Sequence, residues 1–214
     1  MRHLDMGKRL QHMARLGFQP QTIVDVGAAS GAWSRMAAAI WPNAHLVGFE
    51  GNRTNEPHLE RTRRDLPQFD YHLCFLGAEP GTVTYANRGA QTSLYTGAAG
   101  TNTADMRTLD ACIEEGHAPQ PQLLKLDVQG YELEVLEGAR EVLSRCEAVL
   151  AEVSFFHFHP EMPTADDVIA YLKERGFVVY DTMGLLRLPE DDALGQMDFM
   201  FLRADHPLRG LRVW

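Results

Sequence analysis

Apolar positions along the chain change period in a regular order. Residues 8–16 place Leu10, Met13, Ala14 and Leu16 at close to helical spacing, and Gly17 supplies a stop. Thr22–Val26 is a short β-branched run. A turn of small residues, 27–31, follows it, and then a helix over 33–41 that Pro42 ends. His45–Phe49 is a second apolar run, and Asn55 is placed to cap a helix reaching Leu66, with Pro57 tolerated in its first turn. The same reading predicts a third strand over 71–76, a hairpin strand over 81–86 and a helix over 108–115. Beyond it come a strand over 122–127, a helix over 131–145 bent at Gly138, and a strand over 148–155. Thr164 and Asp167 form a capping-box-like start to a helix ending at Gly176, and 177–180 and 198–202 supply the last strands. Residues 87–102, rich in Gly, Ala, Thr and Ser with little periodicity, predict a mobile loop.

Strand–helix alternation of this kind predicts an α/β fold with parallel strands joined by right-handed crossovers. With 214 residues and no linker or internal repeat, one domain is expected, comprising a helical extension (1–21) and a core (22–204). The net charge of −9 argues against a surface that tracks a nucleic-acid backbone. Cys74, Cys112 and Cys146 are widely spaced and form no CxxC pair, so reduced core cysteines are expected rather than a disulfide framework or zinc site. Residues 1–7 contain no apolar signal region and no run of about 18 apolar residues occurs, which predicts a cytoplasmic protein without a membrane partner.

The stretch Asp25-Val26-Gly27-Ala28-Ala29-Ser30-Gly31 lies directly after one strand and before a helix. Small residues there let the backbone approach a ligand, and the helix start offers unpaired N–H donors. Glu50 closes the second strand, 23 positions after Gly27, beside the same crevice of a doubly wound sheet. A carboxylate there suits the hydroxyls of a ribose. The dinucleotide fingerprint G-x-G-x-x-G fails, because Ala29 and Ala32 stand at its later glycine positions. The pattern suits S-adenosylmethionine, whose amino group Asp25 is placed to face; a nicotinamide cofactor is the alternative.

Three segments together resemble the FkbM family of methyltransferases: 25–31, Phe49-Glu50, and Lys125-Leu126-Asp127-Val128-Gln129-Gly130-Tyr131-Glu132. Thr108-Leu109-Asp110, Ala151-Glu152-Val153 and Ser93-Leu94 extend the likeness, which runs from about Thr22 to Leu202. Gly51 stands where the family often has proline, and His157-Phe158-His159-Pro160 departs from its pattern. The resemblance implies a Rossmann-like class I methyltransferase fold, a mostly parallel seven-stranded sheet with helices on both faces. It implies S-adenosylmethionine as donor and a sugar or natural-product hydroxyl as acceptor. By the same resemblance the cofactor contacts fall on Asp25, Gly27, Ala28, Gly31, Glu50, Gly51 and Asn52, with Gly77 and Ala78 near the adenine. Trp33 reads either as a wall for the methionine portion or as a core tryptophan.

Methyl transfer to an alcohol needs alignment and a destination for a proton. Asp127, ending the fourth strand, is the first candidate as catalytic or cofactor-contacting residue; the other reading is an N-cap for the following helix. Glu152 is the second candidate, against a buried ion-pair role. His157 is a third if the fifth strand continues, and a divalent metal among these groups is an alternative, although strand parity sets Glu152 and His157 on opposite sides. Rival functions are a nucleic-acid methyltransferase, against which the absence of a Pro-Pro motif counts, and a non-catalytic module that binds S-adenosylmethionine. A homodimer is compatible with the sequence.

Overall fold

The computed structural model describes residues 5–86, 92, 94 and 102–210. The segment expected to be mobile, 87–102, therefore lies outside the described residues except at Thr92, Leu94 and Asn102. Helix α1 (Met6–Arg15) leads into β1 (Thr22–Val26), α2 (Ala32–Ile40), β2 (His45–Phe49) and α3 (Glu56–Asp65). Next come β3 (Phe69–His72), β4 (Phe75–Leu76), β5 (Gly81–Tyr85), β6 (Asn102–Arg107) and α4 (Leu109–Glu114). Strand β7 (Leu123–Leu126), α5 (Glu132–Glu137), α6 (Arg140–Arg145), β8 (Ala148–Ser154) and α7 (Ala165–Glu174) follow, and β9 (Phe177–Arg187) and β10 (Leu194–Arg203) end the sheet.

Seven of these strands form one mixed sheet in the order β3-β2-β1-β7-β8-β10-β9. The first five are parallel neighbours, whereas β10 runs antiparallel to both β8 and β9. This is the Rossmann-like class I methyltransferase arrangement, closed by a C-terminal antiparallel hairpin. A second sheet, β4-β6-β5, lies apart from it. Among the described residues no helix is long and apolar enough to cross a membrane.

Alternation along the strands divides the core in two. Val24, Val26, Leu124, Leu126, Val149 and Ala151 face helices α4 to α7, packing with Leu109, Leu136, Leu143 and Leu172. Ile23, Leu123, Ala148, Leu150, Met200 and Leu202 face α1 to α3, packing with Leu10, Met13, Ala37 and Leu59. That second face carries an exception to apolar packing. Asp25 and Lys125, aligned across β1 and β7, are both buried there, with the Lys125 Nζ 2.9 Å from Asp25 Oδ1.

Four expectations need correction. The third strand divides at residues 73–74, giving β3 in the main sheet and β4 in the small one. A glycine, Gly51, permits this: a Cβ there would lie 2.4 Å from the Phe75 ring, so β4 closes directly over the end of β2. The helix expected over 131–145 is two helices, because Gly138 sits against the carbonyl oxygen of Gly77, 2.0 Å from where a Cβ would stand. Strand β6 occupies the stretch between the expected loop and helix, where no element was expected, and β9 and β10 extend beyond their predicted ends as a hairpin with register shifts.

The Asp25–Lys125 pair makes a stability prediction. Removing one member leaves the other charged and buried, so Lys125→Met is expected to lower the unfolding free energy by about 3–5 kcal/mol. Replacing both by Leu and Met should recover most of that loss in denaturant titrations. Equal stability of Lys125→Met and the parent would show that the pair is solvated in solution.

Candidate active site

A cavity of about 290 Å³ opens at the C-terminal ends of β1, β2, β7 and β8, where ligands gather in open α/β sheets. One end is lined by Gly27, Ala29, Phe49, Glu50 and Gly51, with Cys74, Phe75 and Leu76 as an apolar side wall. The other end is lined by Asp127, Gln129, Tyr131, Glu152, Leu186 and Gln196.

The turn after β1 is built from unusual backbone. Gly27 and Gly31 have φ near +76° and +77°, and Ala29 adopts φ +46°. A side chain at Gly27 would stand 1.9 Å from the Asp127 carbonyl oxygen, so glycine is what lets the ends of β1 and β7 meet. The turned Ala29 N–H donates to Glu50 Oε2 at 2.7 Å, and the Asn52 N–H donates to Oε1 at 2.7 Å. Burial holds the Glu50 carboxyl above its usual range against these hydrogen bonds. The Asn55 side chain adds a further hydrogen bond to this carboxyl. Asn52 is fully buried; its Oδ1 accepts from the Thr54 N–H at 3.1 Å and its Nδ2 donates to Thr92 Oγ1 at 3.1 Å.

Beneath the turn, Asp25 does not reach the cavity lining. Its Oδ2 accepts from Ser34 Oγ at 2.6 Å, and its Oδ1 meets Lys125. Lys125 Nζ also lies 3.3 Å from the Gly27 carbonyl oxygen, 3.6 Å from Asp127 Oδ2 and 5.8 Å from the centre of the Trp33 ring. Burial works to lower the Lys125 ammonium, yet Asp25 and Asp127 outweigh it and hold the group up at about 12. Trp33 thus packs over the ion pair, and its Nε1 donates to Met6 Sδ at 3.2 Å.

The segment after β7 is equally specific. Gln129 has φ +54° and Gly130 φ +95°, and the loop is held by Glu132, whose Oε1 accepts from the N–H groups of Val128 and Gly130 at 3.2 and 3.1 Å. Tyr131 occupies the N-cap position of helix α5, without a side-chain capping bond, so Asp127 is not its N-cap. Instead the Gln129 Nε2 donates to Asp127 Oδ1 at 2.9 Å and to Glu152 Oε2 at 3.1 Å. Gln196 Nε2 donates to the same Glu152 oxygen at 2.9 Å. Burial pushes Glu152 up to about 8, helped by the charges of Asp127, Asp198 and Glu132 and only partly opposed by Lys125. Asp198, paired with Glu152 across β10 and β8, is pushed up to about 6 by burial and Asp127.

The cavity thus gathers Gly27, Glu50, Gly51, Asp127 and Glu152 from the residues singled out in the sequence. Ala28, Gly31, Asn52, Gly77 and Ala78 do not line it; Gly77 donates its N–H to the Arg107 carbonyl and sits against Met106. His157 lies outside. Strand β8 stops at Ser154, and the exposed His157 ring meets the Met162 carbonyl oxygen at 2.8 Å. Among the described residues no group of three or more His, Cys, Asp or Glu is placed to hold a metal. Gln129, Tyr131, Phe75, Gln196 and Asp198 were not singled out. The first two sit inside the recognised motif, whereas Gln196 and Asp198 acquire meaning only from register with β8.

The lining suits a nucleoside with an amino-acid tail. It offers a paired acid for ribose hydroxyls, an apolar slot for a flat base, and acid and amide groups at the far end. None of its described residues is Lys, Arg or His, so a pyrophosphate would find no side-chain cation.

Comparison with known proteins agrees with this geometry. A segment of 44 residues is 41% identical to a hexuronic acid methyltransferase, AglP, from Haloferax volcanii, covering 21% of this chain and 18% of that protein. The chain is therefore matched along less than a fifth of that relative's length. The N-terminal domain of EvdMO1, solved in the presence of S-adenosylhomocysteine and D-fucose, superposes with a TM-score of 0.57 at 11% identity, over 95% of this chain and 84% of that one. Magnesium protoporphyrin IX methyltransferase from Synechocystis PCC 6803 with bound S-adenosylmethionine superposes with a TM-score of 0.53 at 13% identity, over 92% and 77%. These two likenesses establish the fold. A model of the methyltransferase FkbM domain matches residues 25–179, and on that match the chain belongs to the FkbM family of S-adenosylmethionine-dependent methyltransferases.

Proposed function

We propose that this chain methylates a hydroxyl oxygen on a sugar or small natural product. The observation that carries the reading is the continuity of one cavity from the Glu50 end to the Asp127, Gln129, Glu152 and Gln196 end. Glu50 would hold the ribose hydroxyls, Phe49, Cys74, Phe75 and Leu76 the adenine, and the β1 turn with Asp127 the amino-acid portion. When bound, S-adenosylmethionine supplies an electrophilic methyl group on a positively charged sulfur. The hexuronic acid named for the Haloferax relative and the D-fucose present with EvdMO1 are both sugar-type compounds, which supports a sugar as the general acceptor type.

An alcohol becomes a competent nucleophile only as its proton leaves. Glu152 is the group for that step. Its carboxyl is basic because it is buried among other acids, and the Gln129 and Gln196 amides fix its orientation through Oε2. Asp127 shares the Gln129 amide and so sits where donor and acceptor meet. Neither amide accepts a proton, so both act by positioning.

Three outcomes test the assignment. Glu50→Ala should weaken S-adenosylhomocysteine binding in calorimetry by about 1.5–3 kcal/mol, the worth of hydrogen bonds to a charged group. Unchanged affinity removes the ribose assignment. Turnover should decline as pH falls below about 8, where Glu152 takes up its proton, and Glu152→Gln should lose about 10²- to 10⁴-fold in kcat. A flat profile from pH 6 to 9 would assign the base elsewhere.

The same group makes a stability prediction. Glu152 binds its proton more tightly folded, at about 8, than at the ordinary 4.5, so its contribution to stability is complete below 4.5 and is lost as pH rises toward 8. Glu152→Gln, which never ionises, should therefore gain stability relative to the parent between pH 5 and pH 9. Parallel pH curves of the two melting temperatures would contradict it.

A further inference from the structure

The cavity does not end at Glu152. A second cavity, of about 400 Å³, adjoins it, and the two share Glu152, Leu186 and Gln196 as common wall. Met6, Met183, Leu185 and Met197 give the second cavity an apolar lining, with Asp198 and Glu152 along one side. Two features keep it open and shaped. Gly184 faces Asp198, and a Cβ there would come 2.4 Å from Asp198 Oδ2, so the glycine leaves the carboxylate its room. Helix α1 is fastened to β9 by the Arg9–Asp181 ion pair, and Trp33 holds the Met6 sulfur, so the N-terminal helix supplies a wall of the cavity.

Charge in the two cavities is one-sided. Asp127, Glu152 and Asp198 line one or the other, and among the described lining residues none is Lys, Arg or His. The nearby cation, Lys125, is buried beneath them and engaged with Asp25 and Asp127. An anionic acceptor entering here would meet the carboxylates of Asp127 and Asp198 with no compensating cation. A ring bearing hydroxyls on every side would bury some of them against thioethers and leucines, where they find no partner. A ring with one polar edge and one apolar face meets neither penalty.

We infer that the second cavity is the acceptor subsite and that it selects an uncharged hydroxyl compound with an apolar face, such as a deoxygenated or alkylated sugar ring. Asp198 sets the discrimination against carboxylated acceptors. A hexuronate, the acceptor class in the name of the Haloferax relative, is on this argument a poor ligand for this chain. The inference rests on the methyl-transfer reading above.

The test uses the full chain loaded with S-adenosylhomocysteine and titrated calorimetrically with matched methyl hexopyranosides in the gluco, galacto and manno series. Each series supplies the parent sugar, its 6-deoxy form and its 6-carboxylate. In at least one series the 6-deoxy probe should bind, and the carboxylate at least tenfold more weakly. Asp198→Asn, a near-isosteric change, should reduce that gap to threefold or less while leaving S-adenosylhomocysteine binding unchanged. A carboxylate that binds as tightly as the 6-deoxy probe overturns the inference. So does an unaltered gap in Asp198→Asn, or no binding by any 6-deoxy probe. Failure of the chain to take up S-adenosylhomocysteine is a different result: it removes the methyl-transfer reading, and the subsite falls with it.

Discussion

One buried ammonium organises the site. Lys125 stands on the α1–α3 face of the sheet, where its neighbours in the same alternation are Leu123 and Leu150, and water is not available to solvate it. Taking such a charge out of water costs several kcal/mol unless partners restore the lost interactions. Asp25 on β1, the Gly27 carbonyl and Asp127 at the strand end supply them, all within 3.6 Å. Satisfying the ammonium therefore fixes the ends of β1 and β7 against each other, and those ends are the floor of the cavity.

The same economy of charge explains the chemistry beyond Lys125. One cation cannot neutralise Asp25, Asp127, Glu152 and Asp198 together. Asp25 is in direct contact with it, while Glu152 and Asp198 lie farther along the row across β8 and β10. Burial then dominates for these two, raising Glu152 to about 8 and Asp198 to about 6. A carboxyl whose proton affinity is lifted toward neutrality is suited to accept a hydroxyl proton, whereas an ordinary exposed carboxylate is too weak a base. The deficit of positive charge that leaves Glu152 raised extends along the wall it shares with the adjoining cavity, whose described lining holds no Lys, Arg or His.

How far the sequence revealed this can be judged from individual residues. Strands β1 and β2 were legible to the residue, because Thr22–Val26 and His45–Phe49 are buried β-branched and aromatic runs bounded by Gly or charged neighbours. Gly27, Glu50 and Asp127 were legible as residues of the cavity wall because each follows a strand end directly. Asp25 read equally well as a ligand contact, yet period-2 alternation places it on the Ile23 face, toward Ser34 of α2 rather than toward the cavity. Gln196 and Asp198 were not legible, since nothing local in β10 marks them. Their place depends on antiparallel register with Ser154 and Glu152, a pairing between segments more than 40 residues apart. The split of residues 71–76 was hidden for a related reason, since Gly51 against Phe75 is a close approach between distant segments, whereas Gly138 marked the break within 131–145 and only its partner, Gly77, was not legible.

Backbone strain supplies a separate argument that these elements form one working site. Among the described residues the non-glycine positions with positive φ are Ala29, Gln129 and Asp192. Asp192 belongs to the turn between β9 and β10, where such geometry is ordinary. Ala29 and Gln129 both line the cavity, and a left-handed conformation costs each of them about 1 kcal/mol or more. Each conformation delivers a donor to an acid: the Ala29 N–H to Glu50, and the Gln129 amide to Asp127 and Glu152. The chain thus accepts unfavourable backbone at opposite ends of one cavity to orient the carboxylates that face into it. Packing alone gives no reason for that choice, since neither residue is a turn glycine or a core anchor, whereas fixing three acids around one cavity does.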